Sequence, residues 1–266
     1  MFEQLEALRQ KKPLVHCITN PISINLCANG LLAIGAHPIM AEHPEEVEEI
    51  TGNASALLLN LGNITDVRML SMKRSAIAAT KRRIPIVVDA VGIACSRLRR
   101  DYLMELLKLS PPTVIKGNYS EIQALFQENY HTAGVDADDT LTEALVSRSA
   151  VMLARRYSCI LLASGKVDIV TDGSRLVHIQ NGTPQLASVT GTGCLLGALC
   201  ATFLALQPNI DALIAACGML GICGELAQTQ RGVGSFAVQL LDALSTMQMA
   251  DLQKYLTMEE RNIENL

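Results

Sequence analysis

Short, uninterrupted apolar runs alternate along this chain with longer segments of helical character, and that rhythm leaves few architectures open. ALLLNLG at 56–62, IPIVVD at 84–89, TVIKGN at 113–118 and CILLAS at 159–164 read as strands covered on both faces. Residues 36–40 form a further candidate strand. Helical stretches lie between them near 23–34, 44–51, 65–83, 97–110, 119–128 and 140–157. This β-α-β-α order predicts an α/β fold with a mostly parallel central sheet and helices on both faces. The apolar residues suit it: they make up 49% of the chain, chiefly Ala, Leu, Ile and Val, and Trp is absent.

Asp172-Gly173 falls between DIVT and RLVHIQ, which predicts a hairpin and an antiparallel end to the sheet. After residue 191 the pattern changes. Residues 192–207, 209–229 and 235–247 read as successive helices with no strand between them, a helical C-terminal block joined to the sheet-building half at 188–194. No Pro-, Ser- or Gly-rich linker divides the 266 residues, so one domain is expected over 1–266. Local chemistry marks several helix ends. Pro44 after His43 suits a first helical position. Thr140 and Glu143 have capping-box spacing. Lys81, Arg82 and Arg83 suit a helix C-terminus, where cations complement the dipole.

Charge and cysteine usage exclude several classes. A net charge of −4 without a basic stripe argues against nucleic acid as a partner. The eight Cys form no C-x-x-C and no zinc spacing with His, and most sit in apolar surroundings, as in INLCANGLL. Free thiols in a reducing cytoplasm are therefore expected. The opening MFEQLEALRQKK is polar rather than signal-like. No apolar run reaches the roughly 18 residues of a membrane span.

The segment SVTGTGC at 188–194 is a short Gly-rich loop that opens a helix. Glycines there let the backbone turn tightly and approach a ligand, and the first amides of a helix favour an anion such as phosphate. It is not a P-loop, which needs Gly-Lys-Ser/Thr, and its late position and G-x-G-x-x-x-G spacing do not fit a dinucleotide fingerprint. Spacing alone leaves two readings, a phosphate loop or a sterically required helix cap.

The string Thr-Gly-Thr-Gly-Cys at 190–194 resembles the loop of hydroxyethylthiazole kinases, members of the ribokinase-like superfamily. Further blocks follow in the order of that family: PLVHCITNPISINLCAN at 13–29, GAHPIMAEHPEEVEEI at 35–50, VVDAVG at 87–92, VIKGNYSEI at 114–122, ASGKVDIVTDG at 163–173 and GVGSFAVQLLDAL at 232–244. The resemblance implies a ribokinase-like fold and phosphorylation of 4-methyl-5-(2-hydroxyethyl)thiazole by Mg-ATP, for thiamin biosynthesis or salvage. It also implies a cytoplasmic homotrimer with thiazole sites between subunits.

By the same resemblance, Gly191, Thr192 and Gly193 form an anion hole for the transferring phosphoryl group. Cys194 occupies the position of the general base, an Asp in related kinases. Sulfur is a less usual base than carboxylate, so Cys194 is also open to a reading as a cap that merely fits. Asp89, at the end of an apolar strand, is implied to hold Mg2+, through water. Glu121 is implied to support the same network, although Asn118-x-x-Glu121 is also capping-box spacing. Lys116 and Ser164 match ATP-contacting positions, where the family often has Arg and Thr. Met40 and Gly191 match thiazole-contacting positions, and Asn25, sharing a helix face with Asn29, is a weaker substrate candidate. The chain departs from the family at Ala90, where Pro is common, and at His37, where a small residue is. The alternatives are another ribokinase-like activity, such as hydroxymethylpyrimidine kinase, and a thiazole-binding sensor with weak turnover.

Overall fold

The computed structural model describes residues 4–132, 134 and 141–265. Its strands are β1 (Leu14–Ile18), β2 (His37–Ile39), β3 (Ala56–Asn60), β4 (Ile86–Asp89), β5 (Val114–Asn118), β6 (Ile160–Ser164), β7 (Asp168–Thr171), β8 (Leu176–Ile179) and β9 (Met258–Glu260). They form one sheet in the order β2-β1-β3-β4-β5-β6-β7-β8-β9. Pairings from β2 through β6 are parallel, and those from β6 through β9 are antiparallel.

All the expected strands form, and two of them show a local reason for where they stop or start. Pro85 has no N–H to give a ladder, and β4 begins after it. At the far end of β3 the Asn60 side chain accepts from the Gly62 N–H (2.9 Å) and turns the chain out of the sheet. The expected hairpin joins β7 to β8. Its turn is closed by the Asp172 carboxylate, which accepts from the N–H groups of Ser174 and Arg175 (both 2.8 Å). Two strands stand outside the expected set. β1 has a histidine at its centre, which interrupts the apolar run. β9 is fully exposed and is a strand only because β8 offers it an edge.

Helices cover both faces. Alternate residues of each strand point to opposite sides. Leu58, Val87, Val114 and Leu162 pack with α1 (Gln4–Lys11), α2 (Ile24–Ile34), α8 (Thr192–Leu204), α9 (Ile210–Leu226) and α10 (Val233–Thr246). Leu57, Val88, Ile115 and Leu161 pack on the other side with α3 (Val47–Asn53), α4 (Asp66–Arg82), α5 (Arg97–Leu109), α6 (Tyr119–Phe126) and α7 (Glu143–Tyr157). A short helix, α11 (Met249–Tyr255), precedes β9.

Helix starts differ from expectation at two points. Pro44 does not open α3: residues 44–46 form a turn in which the N–H groups of Glu46 and Val47 both reach the His43 carbonyl, and the helix begins at Val47. The cap of α7 is Thr142, whose hydroxyl accepts from the Leu145 N–H; Thr140 lies outside the described residues. Lys81 and Arg82 do end α4, and Arg83 caps it in the left-handed region (φ 57°). The eight cysteines are all free; Cys95 is exposed, Cys194 half-buried and the other six buried. Among the described residues no helix is long and apolar enough to cross a membrane.

Candidate active site

The parallel strands converge on one edge of the sheet, where their C-terminal ends place polar side chains among apolar ones. Open α/β sheets bind ligands at this edge. Asp89 ends β4 and is fully buried. Its Oδ1 accepts from Lys116 Nζ (2.9 Å) and its Oδ2 from Asn60 Nδ2 (2.8 Å). Lys116, on the neighbouring strand in register with Asp89, is also buried. Burial alone would lower its pKa, but the Asp89 carboxylate, with Glu121 adding, raises it, so the ammonium stays charged.

Two asparagines extend this pair toward Cys194. Asn20, two residues past β1, donates from Nδ2 to Asn60 Oδ1 and to Cys194 Sγ (both 3.2 Å). The direction of these bonds follows from the backbone. Asn20 Oδ1 takes the Ser23 N–H (3.0 Å) and Asn60 Oδ1 takes the Gly62 N–H (2.9 Å), so both amide nitrogens must face acceptors. One hydrogen-bonded chain thus runs Cys194–Asn20–Asn60–Asp89–Lys116, in which the half-buried sulfur and the buried carboxylate both accept.

The start of α8 lies over this chain. Gly191 is its N-cap at φ 96°, a conformation that side-chain-bearing residues rarely adopt, and a Cβ there would lie 3.1 Å from Ser23 Cβ. A Cβ on Gly193 would lie 3.9 Å from Lys116 Nζ, and one on Gly197 3.3 Å from Asp89 Oδ2. Glycines thus bring the helix backbone close to the buried ion pair. No side chain caps α8. The amides of Thr192, Gly193 and Cys194 come before the first intrahelical bond, Leu195 N–H to Gly191 O (2.8 Å), at the end of the helix where the dipole favours an anion. The Thr192 hydroxyl is engaged elsewhere, donating to the carbonyls of Leu186 (2.9 Å) and Val189 (3.2 Å), so Thr192 offers the loop only its amide.

Glu121 fills the capping role that its spacing allowed and also reaches a second loop. It completes a capping box with Asn118, its Oε2 accepting from the Asn118 N–H, while Oε1 accepts from the Gly92 N–H (both 2.7 Å). Burial, then the nearby Asp89 charge, push its pKa from 4.5 up to about 7. The folded chain therefore keeps this proton to higher pH than the unfolded chain. Its contribution to stability is fully present below 4.5 and is lost as pH rises through about 7.

Magnesium can be tested against these groups. Both oxygens of Asp89 and of Glu121 already accept hydrogen bonds. Among the described residues no cluster of three His, Cys, Asp or Glu could form a protein cage. That donor set fits magnesium, which keeps several waters and uses one or two carboxylates together with substrate phosphates.

The remaining expected residues lie around this centre. Ser164, at the end of β6 and in register with Asn118, donates to the Gly117 carbonyl (3.3 Å). Met40 is half-buried just past β2, at the sheet edge two strands from β3. Asn25 is exposed on α2, its side-chain oxygen held by Asn29 Nδ2 (3.0 Å). Neither belongs to the hydrogen-bonded chain. His37 is exposed, whereas Ala90 is buried. Asn20 and Asn60 were missed in the sequence, although they carry the signal that picked out Asp89: a polar residue closing an apolar run, CITN and LLLN.

Comparison with known proteins agrees with this geometry. The sequence model of the hydroxyethylthiazole kinase family matches residues 5–250. "Hydroxyethylthiazole kinase 2" of Clostridium botulinum is 44% identical over 242 residues, covering 89% of this chain and 91% of the relative. The solved structure of a hydroxyethylthiazole kinase protein from Pyrococcus horikoshii superposes with TM-score 0.90 at 34% identity, covering 98% of each chain. A ribokinase-like superfamily protein from Enterococcus faecalis shares the fold alone, with TM-score 0.62 at 16% identity over 96% of this chain and 95% of that one. With a ribokinase-like fold and a family match over nearly its whole length, the chain belongs to the hydroxyethylthiazole kinase family.

Proposed function

We propose that the helix start at Gly191–Cys194, set over the buried Asp89–Lys116 pair, is the phosphoryl-transfer centre of a hydroxyethylthiazole kinase. The reaction is that of the family: ATP and 4-methyl-5-(2-hydroxyethyl)thiazole give ADP and the thiazole phosphate, for thiamin biosynthesis. The observation that carries the assignment is the close approach of the glycine backbone to Lys116 and Asp89, which gathers helix amides and a buried cation at one anion position.

In this reading the substrate hydroxyl oxygen bonds to the γ-phosphorus as the bond from that phosphorus to the β–γ bridging oxygen breaks. The hydroxyl proton passes to Cys194, whose sulfur Asn20 holds by an N–H donor. The amides of Gly191, Thr192 and Gly193, with that of Cys194 beside them, and the Lys116 ammonium stabilise charge on the equatorial oxygens. Asp89 and Glu121 would hold magnesium through water, and the ion supplies charge neutralisation at the phosphates. Lys116 and Ser164 face the nucleotide, with Lys116 near the transferring group because Asp89 holds it there. Met40 and Gly191 contact the thiazole, Met through sulfur–aromatic contact, and Asn25 remains a weaker substrate candidate.

We further read residues 1–266 as one kinase domain, supported by a single sheet that carries strands from both ends of the chain. The assembly is a homotrimer with Met40 completing a neighbour's pocket. Exposed Ile22 beside α2, with Val233 and Val238 on α10, gives apolar surface on two helices that pack together, the kind of patch an interface covers. A cytoplasmic location accords with eight free thiols.

The test is phosphate transfer by the purified protein from Mg-ATP to a panel of alcohols, with the molar mass measured on the same sample. The thiazole alcohol should be the preferred acceptor, and the mass should be near three times 28.7 kDa. Preference for hydroxymethylpyrimidine, or thiazole binding without turnover, would replace the assignment.

A further inference from the structure

His16, at the centre of β1, is fully buried, and both ring nitrogens are bonded. Nε2 lies 2.9 Å from the Ala41 carbonyl oxygen and Nδ1 2.8 Å from the Thr51 hydroxyl on α3. A carbonyl can only accept, so Nε2 carries the proton and Nδ1 accepts from Thr51. Burial lowers the pKa of the ring, in keeping with this neutral form. The residue after Ala41, Glu42, is held at two points. The Glu42 carbonyl accepts from Ser71 Oγ (2.7 Å), and the Glu42 carboxylate accepts from Arg68 Nε (2.7 Å). Residues 41 and 42 are thus tied to β1 and α4, and through His16 to α3, and Met40 stands directly before them, half-buried at the end of the edge strand.

A buried histidine costs more than an apolar residue of similar size unless its bonds matter. Here one bond holds the backbone next to Met40, and the other fixes the ring that makes it. We propose that His16 is a positioning residue for the thiazole pocket: through the Ala41 carbonyl and the Thr51 hydroxyl it fixes the segment presenting Met40, and so sets affinity for the thiazole alcohol without touching it. This rests on the reading of Met40 as a thiazole contact. The ring is two strands from Asp89 in the sheet and makes no bond to the chain that links Asp89 to Cys194, so ATP use and the transfer step should be indifferent to it.

The test compares His16→Leu, His16→Gln, Thr51→Val and Met40→Ala with the parent by steady-state kinetics and thermal unfolding. His16→Leu leaves the Ala41 carbonyl and Thr51 hydroxyl unpaired. It should raise KM for the thiazole alcohol about tenfold or more, with kcat and KM for ATP within about twofold. His16→Gln keeps one donor and one acceptor and should recover most of that loss. Thr51→Val removes one bond in a near-isosteric way, and should raise the same KM to a smaller degree even if the leucine variant fails to fold. Met40→Ala should raise it as well. An unchanged KM in both His16→Leu and Thr51→Val, beside a raised KM in Met40→Ala, overturns the positioning role while Met40 keeps its place. An unchanged KM in Met40→Ala overturns the Met40 reading and the proposal with it. Parallel changes in kcat and both KM values, tracking the loss of thermal stability, reduce His16 to a core residue.

Discussion

Inside the edge strand β2, the parallel strands β1, β3, β4, β5 and β6 begin on Leu14, Ala56, Ile86, Val114 and Ile160, and they run out into Asn20, Asn60, Asp89, Asn118 and Ser164. The first edge is ordinary apolar packing. The second buries amides, a carboxylate and an ammonium, each of which loses hydration and recovers it only through a complete set of bonds. A buried ion pair is seldom more stable than apolar residues of the same volume. The contrast shows which edge was shaped by something other than stability. The pattern is the same on neighbouring strands, so the difference belongs to the ends of the sheet rather than to any one loop.

The contrast can be broken most sharply at Asp89. Asp89→Asn should reduce turnover on the order of 10²–10³-fold. It should also destabilise the fold by about 3–5 kcal/mol, because Lys116 is left buried without its counter-charge. Adding Lys116→Met should return most of the stability and none of the turnover. Turnover that recovers together with stability would mean that the pair is structural.

The opposite edge provides the second comparison. Ile86→Ala, at the apolar start of the strand that Asp89 ends, should cost about 2–5 kcal/mol in unfolding experiments. Below its melting transition it should keep the kcat and KM of the parent. A kinetic loss approaching that of Asp89→Asn would erase the distinction between the two ends.

The smallest expected effects sharpen the chemistry at residue 194. Cys194→Asp should keep or raise activity if the position accepts the substrate proton, because a carboxylate is already ionised at neutral pH. Cys194→Ser should be poorer, and both should bind ATP normally, since the anion position uses backbone amides. All three proteins should lose kcat/KM as pH falls through about 7, where Glu121 takes up its proton and gives up the charge it offers to magnesium. That acid limb belongs to Glu121 and should stay in place, whereas a limb that moves between Cys, Ser and Asp belongs to residue 194. Equal turnover for the three at every pH removes Cys194 from proton transfer.

Much of this was legible in the chain because it is local. Runs such as IPIVVD and CILLAS can hardly be other than buried strands, and the late shift to unbroken helices fixes where the sheet-building half ends. TGTGC followed by an apolar run marks a helix start with no side-chain cap, which is where an anion sits. Strand β1 was harder to see, since a buried histidine looks polar until its partners are known. Strand β9 has no signal of its own and depends on an edge supplied from more than 75 residues away.

What the sequence determined by itself was the order of elements from β2 to α10, the edge of the sheet where polar residues gather, and the helix opening at Gly191. Periodicity, turn chemistry and backbone preference act over a few residues, so they can be read in place. Only the tertiary structure decided that Asn20 and Asn60 join Cys194 to Asp89, that Lys116 gives its charge to Asp89, and that Asn25 stands apart on the surface. Those outcomes depend on the lateral order of the strands, and on which face of a buried amide meets a backbone donor. The amide faces are set by donors two or three residues on, but the partners that the chain from Cys194 to Lys116 joins lie 27 to 174 residues apart, beyond any window.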